Sequence, residues 1–393
     1  MPRPVQPSAV PRRQSEKQEQ DRSLKNMAGI RPLIDADVPR VADLIWNVLH
    51  GHKGGAPSSL QNYVQDLFLR NPWFDEGIVP RVYEDAQGKI VGFFGAVPRR
   101  MTLQGKPIRL AFGSNFVMDP GSRASMAAIQ LVRAFMKGPQ DISITDSANE
   151  NSRQLLRSLG FHVVPVYSLQ WARPLRPALY AVDTLSRLKK GAAMAAIGSI
   201  AKPFCRLADA VATSAGFSPF HQSQSESADE NLDTGTLLRC LADIPAKHWM
   251  LPEYDQGSLN WLFDFIDKRK ALGEIRKAVV SDKGKIVGWY VYGIGSGGMG
   301  EVLQIGAASS SVGVVLDHLF YDGWKRGLIG LQGRMEPQFM EELTAKMCFF
   351  FRHGSWTLIH SNKPEVITSL QSGTAFFSRL EGEWSLRHGG IAT

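Results

Sequence analysis

Cysteine is nearly absent: Cys205, Cys240 and Cys348 are the only three in 393 residues. Three scattered thiols make neither a disulfide framework nor a metal cluster, so the composition fits a reducing, cytoplasmic compartment. No His stands near any of them in a catalytic pattern, and no spacing of His, Cys, Asp and Glu suits zinc, so no metal is expected. Long apolar runs are missing too. The best one, within residues 185–203, is interrupted by Lys202 and Pro203, which leaves it too short to cross a bilayer. Charge is not lopsided: 45 Lys and Arg against 37 Asp and Glu give +8, and no basic stripe interleaves with aromatics, so nucleic acid is not the favoured partner. Residues 1–27 are rich in Pro, Gln, Arg and Ser and have no apolar centre. They read as a disordered tail and not a signal peptide, or as an over-long start with Met27 as the initiator.

What is present is a repeat. The pentapeptide Gly-Lys-Ile-Val-Gly occurs at Gly88–Gly92 and again at Gly284–Gly288. Each copy follows an acidic residue and joins two β-branched or aromatic runs, which is the signal of a hairpin. Apolar residues at helical spacing precede each hairpin, Leu60 to Phe68 in one case and Leu259 to Ile266 in the other. The length exceeds what one core usually supports. We therefore expect two related domains, 28–177 and 234–393, joined by a helical connector and linker over 178–233, with Ser223 to Asp233 disordered. The connector carries Arg187, Lys189 and Lys190 beside small apolar residues. That balance suits an amphipathic helix packed on a domain, or one touching a membrane surface through 185–203.

In the first half the pattern predicts a strand at Ile30–Leu33, helices at Asp37–Leu49 and Leu60–Leu69, the hairpin, and a strand at Ile108–Met118. Small residues then lead into an apolar helix through Met136. A strand that ends in such a loop and opens a helix presents free N–H groups and a positive dipole end, which suits an anion. The strand Ile142–Thr145 follows, left at Asp146, then a helix stopped at Gly160-Phe161 and a further strand over Val163–Trp171.

The order of elements and the residues Pro120, Arg123, Ala128, Asn149, Ser152, Gly160 and Phe161 resemble the GNAT superfamily of acyl-CoA-dependent N-acyltransferases. The resemblance covers roughly residues 30–173; from about 236 to 384 it survives as topology alone. It implies an α/β (α+β) chain of two GNAT-like domains, each a mixed, mostly antiparallel, splayed sheet flanked by helices. It further implies acetyl-CoA, or another acyl-CoA, as co-substrate. The pyrophosphate would lie over Arg123, Ala124, Ser125, Met126, Ala127 and Ala128, the pantetheine beside Phe116, Val117 and Met118, with Asn149 and Ser152 on the opposite wall. Met126 stands where the family has a loop glycine, and Leu156 where many members have the tyrosine that protonates the thiolate. A water or another hydroxyl would then serve as the acid, Tyr167 being one candidate.

The implied reaction is direct attack of an amine on the thioester, which needs a carboxylate or His as base. Asp146 and Asp119 leave strand ends on the expected side, Asp146 being preferred; a helix cap and a proline turn are their ordinary roles. His50 and His52 lie in a Gly-rich loop that either meets the acceptor or is simply solvated. The second half lacks the Arg-x-x-Gly element and reads as non-catalytic. The acceptor is expected to be an amine of a small molecule or envelope precursor. Two alternatives stay open: a Fem-like transferase using aminoacyl-tRNA, and a binding protein with a GNAT fold and no catalysis.

Overall fold

The computed structural model describes residues 29–52, 54–121, 125–188, 192–222, 228–244, 250–269, 272–295, 297–352 and 354–388. The expected tail, Arg123, Ala124, His353 and residues 223–227 lie outside them. Fifteen strands are found among the described residues. In chain order they are β1 (Gly29–Pro32), β2 (Arg81–Glu84), β3 (Ile90–Leu103), β4 (Lys106–Met118), β5 (Ile142–Ala148), β6 (His162–Val163), β7 (Gln170–Pro174) and β8 (Ala228–Asn231). Then come β9 (Met250–Pro252), β10 (Glu274–Asp282), β11 (Lys285–Ile294), β12 (Met299–Ala307), β13 (Gly330–Arg334), β14 (Phe349–Phe351) and β15 (Trp356–His360). The principal helices are α1 (Val38–Leu49), α2 (Ser58–Phe68), α3 (Ser125–Met136), α4 (Glu150–Ser158), α5 (Pro177–Leu188), α6 (Ala192–Ser214), α7 (Gln256–Asp267) and α8 (Val312–Lys325).

The helices form where apolar residues recur at helical spacing. In α1, Val41, Ala42, Leu44 and Ile45 are buried, and Pro39 sits in the first turn, where its missing N–H costs nothing. In α2 the buried stripe is Leu60, Tyr63, Val64, Leu67 and Phe68.

The strands make two sheets of the same design. One runs β1-β2-β3-β4-β5-β15-β6, with β9 added beside β3; the other runs β8-β10-β11-β12-β13-β7-β14. In each, the first three pairings are antiparallel, the fourth is parallel and the last two are antiparallel. The mixed, mostly antiparallel sheets expected from the sequence are therefore present twice.

The two Gly-Lys-Ile-Val-Gly segments occupy equivalent places, between β2 and β3 and between β10 and β11. Gly88 and Gly284 take φ of +77° and +76° at the turns. Both hairpins carry a bulge a few residues further on: Tyr83 pairs with Gly92 but Glu84 with Ile90, and Val280 pairs with Gly288 but Ser281 with Ile286. The extra residue is Val91 in one copy and Val287 in the other. The closing glycine keeps space for a helix. A Cβ on Gly92 would stand 3.0 Å from Leu131 of α3, and one on Gly288 2.6 Å from Val315 of α8.

Between the halves, one strand changes places in each direction. The domain limits of 28–177 and 234–393 put Gln170–Pro174 in the first half and Trp356–His360 in the second. Instead β7 lies between β13 and β14, and β15 between β5 and β6. The single strand expected over Val163–Trp171 is broken because Pro165 cannot donate to a ladder, and a short helix at Pro165–Ser168 turns the chain toward the other sheet. Part of the linker expected to be disordered, Ala228–Asn231, pairs with β10 as an edge strand.

A buried segment runs between the sheets. Residues 375–386 are all buried, and only Glu383–Ser385 form a helical turn. Buried irregular backbone must find partners elsewhere. Phe376 N–H donates to Met250 O, Leu380 N–H to Leu303 O at 2.9 Å, and Glu383 N–H to Asp146 Oδ1 at 3.2 Å.

Candidate active site between the fourth and fifth strands

The parallel pairing of β4 with β5 stops at Phe112 and Ile144. Beyond it the strands part, and β4 bulges: Gly95 faces Ser114 while Phe93 faces Val117, with Asn115 at φ +51° between them. Asn tolerates that left-handed conformation better than other residues with a side chain. A cavity of about 270 Å³ fills the gap, with Gly113 to Phe116 on one side, Thr145, Ser147, Ala148, Asn149, Ser152 and Leu156 on the other, and Leu49 and His50 at the end of α1. Glu383, Arg387 and His388 close it from the C-terminal segment.

Glu383 is the buried acid of this cavity. One carboxylate oxygen accepts from Ser114 Oγ at 3.1 Å and from the Asn115 N–H at 3.4 Å; the other accepts from the Ser147 hydroxyl. Burial raises its pKa above the ordinary carboxylate value, with the Arg387 charge opposing and the Asp146 charge reinforcing the shift. His388 packs on Tyr63, with ring centroids 5.1 Å apart, and its Nδ1 is buried with no hydrogen-bond partner. Burial, then the charges of Arg269 and His50, push its pKa down to about 4, so the ring is neutral at pH 7. Tyr63 supports the bulge, its hydroxyl oxygen accepting from Asn115 Nδ2 at 2.8 Å.

The expected site residues divide into two groups. Phe116, Asn149 and Ser152 line the cavity together. Asn149 is also the cap of α4, its side chain accepting from the Ser152 N–H at 2.9 Å. Val117 is buried on the opposite face of β4 among apolar residues, and Met118 packs partly buried near Gly92. In the first turns of α3, whose backbone includes Ser125, Met126 is exposed, Ala127 buried and Ala128 half-buried.

The three expected catalytic residues are placed differently, each for a physical reason. The strand β5 continues through Ala148 instead of ending at Thr145, so Asp146 sits within it and faces away from Thr145 and Ser147. There Asp146 is fully buried in an ion pair with Arg334 and accepts the Glu383 N–H; it is not a helix cap, and it is not free to take a proton from a substrate. Asp119 makes the turn with Pro120, accepts the Gly121 N–H at 3.0 Å, and pairs with Lys89 at 2.5 Å. It borders a separate cleft of about 600 Å³ between α1 and the β2–β3 turn. Tyr167 is 2% exposed and donates to Ala375 O at 2.6 Å, with burial raising its pKa, so its proton is held inside the core. Of the histidines, His50 reaches the cavity while His52 stacks on Trp46 at 4.3 Å.

Sequence reasoning passed over Glu383, Ser114, Ser147, Arg387 and His388. The only local signal was a set of charged residues, Arg379, Glu381 and Glu383, inside a run of Phe, Leu and Trp near the chain's end.

The corresponding gap of the second sheet is filled. The β12–β13 pairing ends at Val302 and Gly333, and the next residues, Leu303 and Gln304, bind the buried segment through Leu380 N–H and Glu381 Oε1. Arg379 pairs with Glu301 in the same place.

Solved structures with this arrangement exist. A GCN5-related N-acetyltransferase from Anabaena variabilis is similar at a TM-score of 0.53 and 12% identity, over 84% of this chain and 71% of that one. The chain has the GNAT fold. A GCN5-related N-acetyltransferase from Kribbella flavida is similar at 0.53 and 12%, over 86% and 72% of the chains. The N-myristoyltransferase of Saccharomyces cerevisiae, solved with myristoyl-CoA and inhibitors, is similar at 0.50 and 12%, over 84% and 79%. No family model and no curated protein matches the sequence.

Proposed function

We propose that the chain is an acyl-CoA-dependent N-acyltransferase working at the gap between β4 and β5, with Glu383 as the base. The observation that carries this reading is the buried carboxylate of Glu383 set against the bulged, unpaired edge of β4. That edge, past Phe112, offers backbone groups with no β5 partner, which suits the amides and thioester carbonyl of a pantetheine arm. The cavity of about 270 Å³ fits its thioester end, between Phe116 and the Asn149–Ser152 wall. Bound there, acyl-CoA supplies the activated carbonyl carbon.

The acceptor amine arrives as an ammonium ion. Glu383 takes one proton from it, a role suited to a carboxylate whose proton affinity is raised by burial. The amine lone pair forms the C–N bond, the N–H groups of β4 receive the developing oxyanion, the nitrogen releases its second proton to solvent, and the C–S bond breaks. Leu156 offers no proton at the leaving group, so the thiolate departs as such and is protonated by solvent. The acceptor is an amine of a small molecule or an envelope precursor, and acetyl-CoA is the donor to try first.

Calorimetry with acetyl-CoA and turnover on a panel of amines test the reading. Glu383→Gln should lower kcat about a hundredfold to ten-thousandfold while acetyl-CoA affinity stays within a few-fold. A wild-type chain that binds neither acetyl-CoA nor a longer acyl-CoA would overturn the assignment in favour of a binding protein.

A further inference from the structure

The candidate site is unbalanced in charge. Among the described residues Glu383 is the only acid that borders the cavity, and Arg387 borders it too, while burial pushes the pKa of His50 and His388 down and favours their neutral rings. Arg387 follows Glu383 closely in the chain, and its charge is felt there. Its guanidinium lies over the Trp384 ring at 4.5 Å and forms no ion pair among the described residues. Arg269 stands nearby, over Tyr63 at 5.6 Å and Phe265 at 5.3 Å, and donates to Ser385 O at 2.8 Å. It also forms no ion pair among the described residues, and burial lowers its pKa only to about 10, which leaves it a cation at pH 7. The other acids of this region are engaged: Asp146 with Arg334, Glu301 with Arg379, and Glu381 with Tyr254, Gln304 and the Ser378 N–H.

Two guanidinium groups therefore bear on one carboxylate, and the reaction removes that carboxylate's charge. Once Glu383 holds the ammonium proton, both cations lack a counter-charge in a place where charges interact more strongly than in water. A plain alkylamine leaves them so, and a polyamine adds repulsion. The CoA phosphates are expected over the start of α3, none of whose described residues borders this cavity. An acceptor with its own carboxylate removes the imbalance, because the planar fork of a guanidinium matches a carboxylate. The Nδ1 of His388, buried without a partner, is a further polar group at the same end.

We propose that the acceptor is a small amine that carries a carboxylate, a free amino acid being the simplest case, held by Arg387 while its ammonium group faces Glu383. The inference rests on the acyltransferase reading and names the substrate class of the same site. Turnover of acetyl-CoA, followed as thiol release, should be compared on amino acids and their carboxamides, which share amine and side chain and differ in the anionic group. The parent should favour the free acids on the order of tenfold or more in kcat/KM. Arg387→Gln should bring that ratio close to one, chiefly by raising KM for the free acid, and Arg387→Lys should keep more of it, since the charge remains. The parent's ratio needs no variant, and thermal midpoints separate a lost contact from a lost fold. A parent ratio near one, a ratio that a folded Arg387→Gln leaves intact, or turnover confined to amines without a carboxylate would overturn the inference and leave the acyltransferase reading standing. So would acetyl-CoA binding with no turnover of either member of the pairs. A chain that binds no acyl-CoA would overturn both.

Discussion

The Asp146 carboxylate is paired with the Arg334 guanidinium, 188 positions along the chain, where β5 of one sheet and β13 of the other come together. Both side chains are buried. Arg334 also donates to Ser378 O at 3.2 Å, and Asp146 accepts the Glu383 N–H, so the pair anchors the segment that carries the proposed base.

Removing one partner strands the other charge in the interior, which typically costs about 3–5 kcal/mol, whereas apolar replacement of both is far milder. Asp146→Asn should therefore lower stability in urea unfolding on that scale, and Asp146→Leu with Arg334→Met should recover most of it. Loss of activity in Asp146→Asn without loss of stability would instead give Asp146 a chemical role.

Glu383 binds its proton more tightly in the folded chain than in the unfolded one, because burial raises its pKa. Protonated Glu383 thus favours folding below the ordinary carboxylate range, and that contribution is lost as pH rises through the raised value. Thermal midpoints compared across pH should show Glu383→Gln gaining on the parent as the solution becomes more alkaline. A difference that does not change with pH would contradict the shift.

His388 has the opposite sign. Its pKa falls from 6.5 to about 4, so the neutral ring supports the fold above about 6.5 and that support is lost as pH drops toward 4. His388→Asn should flatten the acid side of the stability profile in this window. NMR titration of the ring that placed its midpoint at the ordinary value would exclude this account.

The two repeat glycines should respond unequally to alanine. At Gly288 the added carbon meets the Gly306 carbonyl oxygen, and Val315 at 2.6 Å, whereas at Gly92 the first obstacle is the mobile thioether of Met118 at 2.7 Å. Backbone cannot yield as a Met side chain can. Gly288→Ala should cost about 1–3 kcal/mol in chemical denaturation and Gly92→Ala less; the reverse order would refute the close-packing argument.

Local chemistry made part of this molecule readable. Asp85 with Gly88, and Asp282 with Gly284, announce turns because their neighbours need a pleated, half-buried surface. Leu60 to Phe68 and Leu259 to Ile266, read as helical from their apolar spacing, fall within α2 and α7. Asp146 was misplaced by a small error with a large effect: extending β5 past Thr145 keeps Asp146 in the alternation of the strand, and alternate residues face opposite sides. The exchange of β7 and β15 left no trace, because a strand's sequence specifies its faces and not which of two similar sheet gaps it enters. Glu383 was hidden for a related reason: its partners Ser114 and Ser147 are 269 and 236 positions away.

The exchange of strands also bears on how the chain is made. On a ribosome β5 and β6 are synthesised well before β15, so the gap between them stays open until β15 emerges. At about 5–20 residues per second that wait lasts on the order of ten seconds or more, with two bare strand edges facing solvent. A nascent chain stalled or truncated before β15 leaves the gap in its first sheet without the strand that fills it.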